Sequence, residues 1–545
     1  MTNKDYANFL LPNVEHDWEY YEKLYPERNV DANAIITRCA PSPTGKLHMG
    51  SLFQALTSLV YAKETNGILY LRIEDTDHKR EIEDGVNLIV QDFKNLDISF
   101  DEGYSFGGNY GPYLQSERKD IYQAYAKKLI EEDLAYPCFC TEEELNKTRE
   151  LQESKKARIG YYGKYAKCRY LTKEQAIERI KNGEKYIIRL KSPGSFYNKA
   201  VLEDAIRGKI EQPENDIDVI IIKSDGLPTY HFAHAVDDHV MHTTHVIGGD
   251  EWVASYPIHE QLFKVLGFKL PTYAHISPIN IKDGNTIRKL SKRKDPWAAM
   301  SYYDENGIPN DAIKLYLSTL INSNFEEWYN ENPEKSFTDF KFSFDKMSVS
   351  GPIFDIEKLT NISKTYFSRL DAHKIYNELL KYTEKYDKEF YELIKNNKDY
   401  MIQILNIERN TNKPRKDIAS YKDVKIYFWY MFDELFNENK DEYEEMPTIS
   451  KDILSEYISN IYDESDDEQT WFNKVKEFAD KNGYTSDRKA YKENPDNFKG
   501  TTADFCKAIR IVITKKNQSP NLFDIIKLIG KDRLIKRIQL YYEKN

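Results

Sequence analysis

The chain has 545 residues, 40% of them hydrophobic and 13% aromatic, with a formal net charge of −11. That length exceeds what one hydrophobic core organises, so roughly three to five domains are expected, and the apolar content excludes a disordered chain. The charge argues against a protein that coats nucleic acid without selectivity, while leaving room for a partner held by a local basic surface.

Five cysteines (Cys39, Cys138, Cys140, Cys168 and Cys506) are too few and too unevenly spaced for a disulfide framework. The first thirty residues carry Asp and Glu without a continuous apolar core, unlike a signal or transit peptide. No stretch reaches the ~20 apolar residues a membrane helix needs. A cytoplasmic location with no membrane partner is expected.

Ala34–Thr37 predicts a buried strand, and Pro41-Ser42-Pro43-Thr44-Gly45 a loop. A helix is predicted from near Gly50, with Leu52, Leu56, Leu59 and Val60 on one face, ending at Asn66-Gly67. Ile68–Ile73 predicts a second strand, which completes a right-handed βαβ unit, the nucleotide-binding half of a doubly wound sheet. Ile82, Val86, Ile89, Val90 and Phe93 mark a further helix, and Ile121, Ala124, Leu129 and Ile130 another.

Short elements and charged helical runs from about 131 to 216 read as an insertion. Ile217–Ile222 and Thr244–Ile247 then return to strand pattern, predicting that the parallel sheet resumes. From about Ser343 the chain reads as successive helices, with candidates at 374–396, 422–437, 451–462 and 502–515. The Glu-, Asn- and Asp-rich stretch Phe325–Ser343 is the expected domain boundary.

Two loops carry chemistry. In Arg38–Ser51, small residues let a ligand approach the backbone, and the helix start offers free N–H groups to a phosphate. His48 lies just before that helix, where its ring can donate to a phosphate oxygen. The second loop, Lys289-Leu290-Ser291-Lys292-Arg293-Lys294, holds cations and one hydroxyl. Two lysines on such a loop can neutralise charge developing on a pyrophosphate leaving group. A basic run is otherwise a solvated face or a nucleic-acid patch.

Together these loops resemble the two signatures of class I aminoacyl-tRNA synthetases, the first in its glutamyl form. Arg72–Asp77, Tyr110–Arg118, Lys223–Phe232, Val236–His239, Phe344–Ser348 and Thr502–Ile513 extend the likeness to bacterial glutamyl-tRNA synthetases over roughly residues 1 to 541. The resemblance implies an α/β, Rossmann-like catalytic domain with an inserted acceptor-binding domain, followed by an all-α anticodon-binding region. The implied division is an N-terminal extension (1–30), two catalytic halves (31–132 and 217–300) around the insertion (133–216), a stem-contact region (301–370) and a helical anticodon-binding region (371–545).

It also implies two steps. Glutamate attacks the α-phosphate of ATP, and the terminal adenosine of tRNA then takes the activated acyl group. Mg²⁺ accompanies ATP, tRNA is typically required for the first step too, and a monomer is expected. By motif position, His48, Lys289 and Lys292 are catalytic and bind ATP with Thr44, Gly45, Gly50, Leu290 and Ser291. Arg38, Ala40, Ser42, Glu74, Tyr230, His234 and Gly248 fall to the amino-acid pocket, with Glu251 and Trp252 nearby. Glu74 is implied to pair with the substrate ammonium; its bland alternative is an ion pair with Arg72.

Gly248 departs from the glutamyl pattern, which carries arginine there against the substrate carboxylate, and His234 stands where asparagine is common. Three readings stay open: Arg38 and His234 suffice for glutamate, the pocket has moved toward glutamine or another amino acid, or the chain is a catalytically weak tRNA-binding paralogue. Charging of a glutamine-accepting tRNA is likewise open. A glutamyl-queuosine-type enzyme would lack the helical C-terminal region. Cys138, Cys140 and Cys168 lie where some members bind structural zinc, with Tyr162 or Tyr170 as candidate further ligands and reduced cysteines as the alternative.

Overall fold

The computed structural model describes residues 1–77 and 82–544. The chain divides into two units, Met1–Met300 with Lys314–Asp355, and Ser301–Ile313 with Ile356–Asn545.

The first unit begins with α1 (Asn3–Leu10) and α2 (Trp18–Leu24), whose Tyr6, Leu10 and Tyr21 join the core. The predicted βαβ unit follows as β1 (Ile36–Cys39), α3 (Met49–Glu64) and β2 (Ile68–Leu71). Every residue of β1 is buried, the pattern of a strand covered on both faces. Then come α4 (Gly85–Asn95), β3 (Glu102–Gly103) and α5 (Lys119–Glu131). Ile82, expected in the fourth helix, precedes it: its N–H is spent on the Pro43 carbonyl at 3.0 Å.

Strands β1, β2 and β3 are parallel in the order β3-β2-β1. On the far side, β9 (His245–Gly249) and β10 (Thr272–Ile276) form a parallel pair. The Thr244 N–H donates to the Ile36 carbonyl at 2.9 Å, bringing β9 beside β1. The strand order reverses between β1 and β9, where open α/β sheets leave a ligand crevice at the strands' carboxyl ends.

The insertion holds β4 (Ala135–Cys138), α6 (Glu142–Ser154), α7 (Lys173–Lys181), β5 (Ile187–Leu190) and the hairpin β6 (Lys199–Asp204) with β7 (Gly208–Pro213). One expectation fails here. The strand β8 (Ile220–Ile222) does not resume the parallel sheet; it pairs antiparallel with β5, which pairs antiparallel with β4. An apolar run reports burial but not the direction of its neighbour. The parallel sheet resumes only after α8 (Tyr230–Val240), and α9 (Tyr256–Leu266) connects β9 to β10. The hairpin β11 (Asn280–Asp283) and β12 (Thr286–Lys289) leads into the lysine loop.

The segment Phe325–Ser343, expected as a boundary, lies within the first unit. Its Phe325 and Phe340 rings meet edge-on at 5.4 Å and Phe325 stacks on Phe342, so aromatic packing overrides polar composition. Among the described residues, the regular elements of the second unit are helical except for Tyr484–Thr485 and Gly500–Thr501. The helix expected over 374–396 is two, Ala372–Tyr386 and Lys388–Asn396, because Asp387 leaves helical geometry and accepts from the Phe390 N–H. The span 422–437 breaks similarly at Trp429–Met431, and 451–462 ends in a π-helical turn. The last candidate is one helix, Thr502–Thr514, closed by Lys515 at φ 62°. Among the described residues, no helix is long and apolar enough to cross a membrane.

Candidate active site

His48 is the N-cap of α3, and its Nδ1 accepts the Ser51 N–H at 3.1 Å. A neutral ring bonded this way carries its proton on Nε2 and can donate it outward. Burial, with Lys292 and Lys289 adding to it, pushes the His48 pKa down to about 4, so the ring is neutral at pH 7. Gly50 follows from this geometry, since a Cβ there would sit 3.1 Å from the His48 ring. His48, Gly50, Gln54, Lys289, Leu290 and Lys292 all line one cavity of about 480 Å³. Thr44, Gly45 and Ser291, expected with them, are not in its lining. The Thr44 N–H donates to the Ser42 carbonyl at 2.8 Å, and Ser291 gives its N–H to Asp295 at 2.8 Å.

Asp295 anchors the lysine loop, taking two bonds from the Arg288 guanidinium at 2.7 and 2.8 Å besides that of Ser291. Lys292 reaches back to the Lys46 carbonyl at 2.7 Å and meets no carboxylate among the described residues. Burial lowers its pKa, with Asp92 pulling the other way.

A second pocket, of about 290 Å³, is lined by Arg38, Ala40, Ser42, Glu74, Tyr230, His234 and Gly248, the whole set expected from the sequence. Behind it lies a buried charge network. Arg38 Nε and Nη2 donate to Asp238 at 3.0 and 3.1 Å, and Arg72 Nη1 to the same carboxylate at 2.7 Å. Arg72 Nη2 also reaches Glu74 at 3.1 Å, so the bland ion pair exists, while Glu74 remains in the pocket wall. Burial raises the Glu74 pKa against the pull of Arg72 and Arg38. For Asp238, burial alone would push the carboxyl up, yet Arg38, Arg72 and His234 hold it well below the usual range.

His234 fills the bottom, with Nδ1 2.8 Å from Asp238 and Nε2 3.0 Å from the Tyr273 hydroxyl. Trp252 stacks on Tyr230 at 4.3 Å, covering one side. A Cβ on Gly248 would meet only Trp252, at 4.0 Å, so its missing side chain leaves open space.

Sequence reasoning missed Gln54, which lines both cavities, and Tyr273, His259 and His275 in the second. A β-strand alternation was the only signal for Tyr273 and His275, while Gln54 lies on α3 and His259 on α9. Val246, Gly248, Tyr273 and His275 face the smaller pocket, while Gly249 and Ile276 face the larger.

In the insertion, Cys138, Cys140 and Cys168 offer sulfurs within 4.8 Å of one another. The nearby phenol is that of Tyr161, 3.4 Å from Cys138 Sγ and 3.2 Å from Cys140 Sγ. Neither expected tyrosine serves: Tyr162 donates to the Arg158 carbonyl, and Tyr170 is 66% exposed. Hydrogen bonds from Cys140 and Cys168 pull the Cys138 thiol toward thiolate. In the second unit, a cleft of about 910 Å³ gathers Trp471, Phe472 and Phe523 with Arg488 and Arg510.

Residues 34–361 match the family described as tRNA synthetases class I (E and Q), catalytic domain, and residues 378–542 match Anticodon binding domain. The chain is 44% identical over 547 residues to a glutamate–tRNA ligase of Clostridium perfringens strain 13, covering 99% of this chain and all of the relative. A glutamate–tRNA ligase of Acetivibrio thermocellus is 43% identical over 549 residues, with the same coverage. Among solved structures, a glutamate tRNA ligase from Elizabethkingia meningosepticum in complex with its amino acid aligns with a TM-score of 0.75 at 26% identity, over 93% of this chain and 99% of that one. With both signature loops converging on adjoining cavities, the chain belongs to the glutamate–tRNA ligase family of class I aminoacyl-tRNA synthetases.

Proposed function

We propose that the two cavities activate glutamate with ATP and pass it to the terminal adenosine of tRNA. The supporting observation is their adjacency: β9 and β10 form a shared wall, and Gln54 reaches both sides. ATP lies in the larger cavity, where His48 Nε2–H and the ammonium groups of Lys289 and Lys292 meet the triphosphate. As pyrophosphate leaves, charge grows on its bridging oxygen, and the lysines stabilise it more than they stabilised bound ATP. Bound with ATP, Mg²⁺ would add charge neutralisation on the phosphates; the cavity's lysines and histidine would not ligate it, and Glu251 is the one carboxylate in the described lining.

In the smaller pocket, Glu74 takes the substrate ammonium and Arg38 offers Nη1, which has no partner among the described residues. The α-carboxylate then faces the α-phosphate beside Gln54, which lines both cavities. The other amino-acid readings have no comparable support, because the relatives that match over full length are named for glutamate. The insertion grips the acceptor end, and the cleft of the second unit receives anticodon bases, stacking them on its aromatic rings beside Arg510. The finer six-part division of the chain and a monomeric state belong to this proposal. Three thiols and the Tyr161 phenol fit one tetrahedral Zn²⁺, which would brace the insertion structurally.

Aminoacylation of purified tRNA for glutamate, with glutamate and glutamine in parallel, tests the reading. Charging with glutamate alone is expected, along with about one zinc per chain by metal analysis and a raised KM for tRNA in Arg510→Ala. Charging with glutamine alone, or tRNA binding without charging, would overturn it.

A further inference from the structure

Amino-acid activation turns two substrates in two cavities into one molecule, and the acyl-adenylate is the first species to occupy both. A side chain bordering both cavities therefore meets the joined molecule more fully than it meets either substrate alone. Contacts of that kind lower the barrier to joining and leave substrate binding nearly untouched.

Gln54 is the residue so placed. It lies on α3 beyond His48, and among the described lining residues it alone borders both the larger cavity and the amino-acid pocket. Along the helix from Leu52 to Val60 every other residue is buried, whereas Gln54 is half-buried. One amide N–H donates to the Ile247 carbonyl at 3.1 Å. A carbonyl oxygen only accepts, so this bond fixes the amide nitrogen toward β9. The second N–H and Oε1 have no hydrogen-bond partner among the described residues.

We infer that Gln54 binds the acyl-adenylate at its joint, donating the free N–H to the oxygens of the α-phosphate and of the acyl group attached to it; the inference rests on the functional reading above. In the joining step a carboxylate oxygen of glutamate bonds to the α-phosphorus. The bond from that phosphorus to the bridging oxygen breaks, and pyrophosphate leaves with the electron pair. No proton moves, so Gln54 has only to hold the oxygens while the bonds change.

Charge points the same way. Lys289, Lys292 and Glu251 stand in the larger cavity, and Arg38, Glu74 and Asp77 in the smaller. Gln54, common to both, is neutral. A cation at this place would bind the separate anions before they react, and an anion would repel them. An amide does neither and still offers a donor. The bland role, a tie between α3 and β9, uses one N–H and leaves the rest of the amide idle.

The test compares Gln54→Ala with the unaltered full chain in pyrophosphate exchange with tRNA present. The exchange kcat should fall about tenfold to a hundredfold, while KM for ATP and KM for glutamate each hold within about threefold. Glutamol adenylate, an unreactive analogue that keeps the α-phosphate and spans both cavities, should lose affinity by a similar factor. Gln54→Met keeps the length and removes the donors, so it should match Gln54→Ala, and it serves if the smaller side chain unsettles the fold. A mere tie would lower the unfolding midpoint in urea but leave kcat per folded molecule and analogue affinity intact. That result, or a rise in both KM values at unchanged kcat, would overturn the inference. Failure of the unaltered chain to activate glutamate would instead overturn the functional reading beneath it.

Discussion

The larger cavity and the smaller pocket solve opposite electrostatic problems a few residues apart. In the larger, Lys289 and Lys292 stand exposed and pair with no carboxylate among the described residues, and His48 is neutral. Positive charge is left for the ligand to complete. In the smaller, Arg38 and Arg72 are buried and already neutralised by Asp238 and Glu74. A triphosphate can organise loose cations by its own charge density, whereas a small amino acid cannot, so its pocket must be rigid beforehand. The first cavity puts its charge into transition-state stabilisation, and the second into shape.

If that contrast holds, removing a charge from each should give opposite phenotypes. The largest effect belongs to Asp238→Ala, which leaves two buried guanidiniums without their carboxylate. It should cost about 3–5 kcal/mol of folding stability, read by urea denaturation, and abolish activity with it. Lys292→Ala should lower the exchange rate by about a hundredfold to a thousandfold. Its folding stability should stay within about 0.5 kcal/mol of the parent, since the site is on the surface. A destabilised Lys292 variant, or a stable and active Asp238 variant, would erase the distinction.

The smallest effect is one of pH. His48 is held near 4 when folded against an ordinary value near 6.5, so between these the unfolded chain binds a proton that the folded chain refuses. Its contribution is therefore complete above about pH 6.5 and is lost as pH falls toward 4. His231, pushed down to about 4 mainly by burial, adds the same slope from beside the smaller pocket. Unfolding midpoints at pH 7 and pH 5 should separate less in His48→Gln than in the parent. Equal separation would mean the ring is not buried neutral.

Local pattern carried much of this architecture. The Pro41–Gly45 loop, the helix after His48 and the lysine loop are each a continuous stretch of chain, and their residue types already declare strand end, helix start and phosphate affinity. Relations across long separations were not legible. Arg38 meets Asp238 200 residues later, and His275 meets Asp204 71 residues earlier. Val236–His239 stood out as a motif, but nothing local shows Asp237 holding Arg118 while Asp238 holds Arg38 and Arg72. Tyr161 was passed over for its neighbour because one residue of phase decides which phenol meets the sulfurs. Direction was lost for β8 for the same reason: pairing is a property of two segments.

The alternating wall of β9 and β10 has a further consequence. Successive residues belong to different ligands, so nucleotide handling and amino-acid choice have separate genetic addresses although they lie side by side. Substitutions at 246, 248, 273 or 275 can redraw one without touching the other. Gln54 is the exception among the described lining residues, and a change there would be felt in both trades at once. Drift in amino-acid preference therefore has four open doors, and one that stays shut.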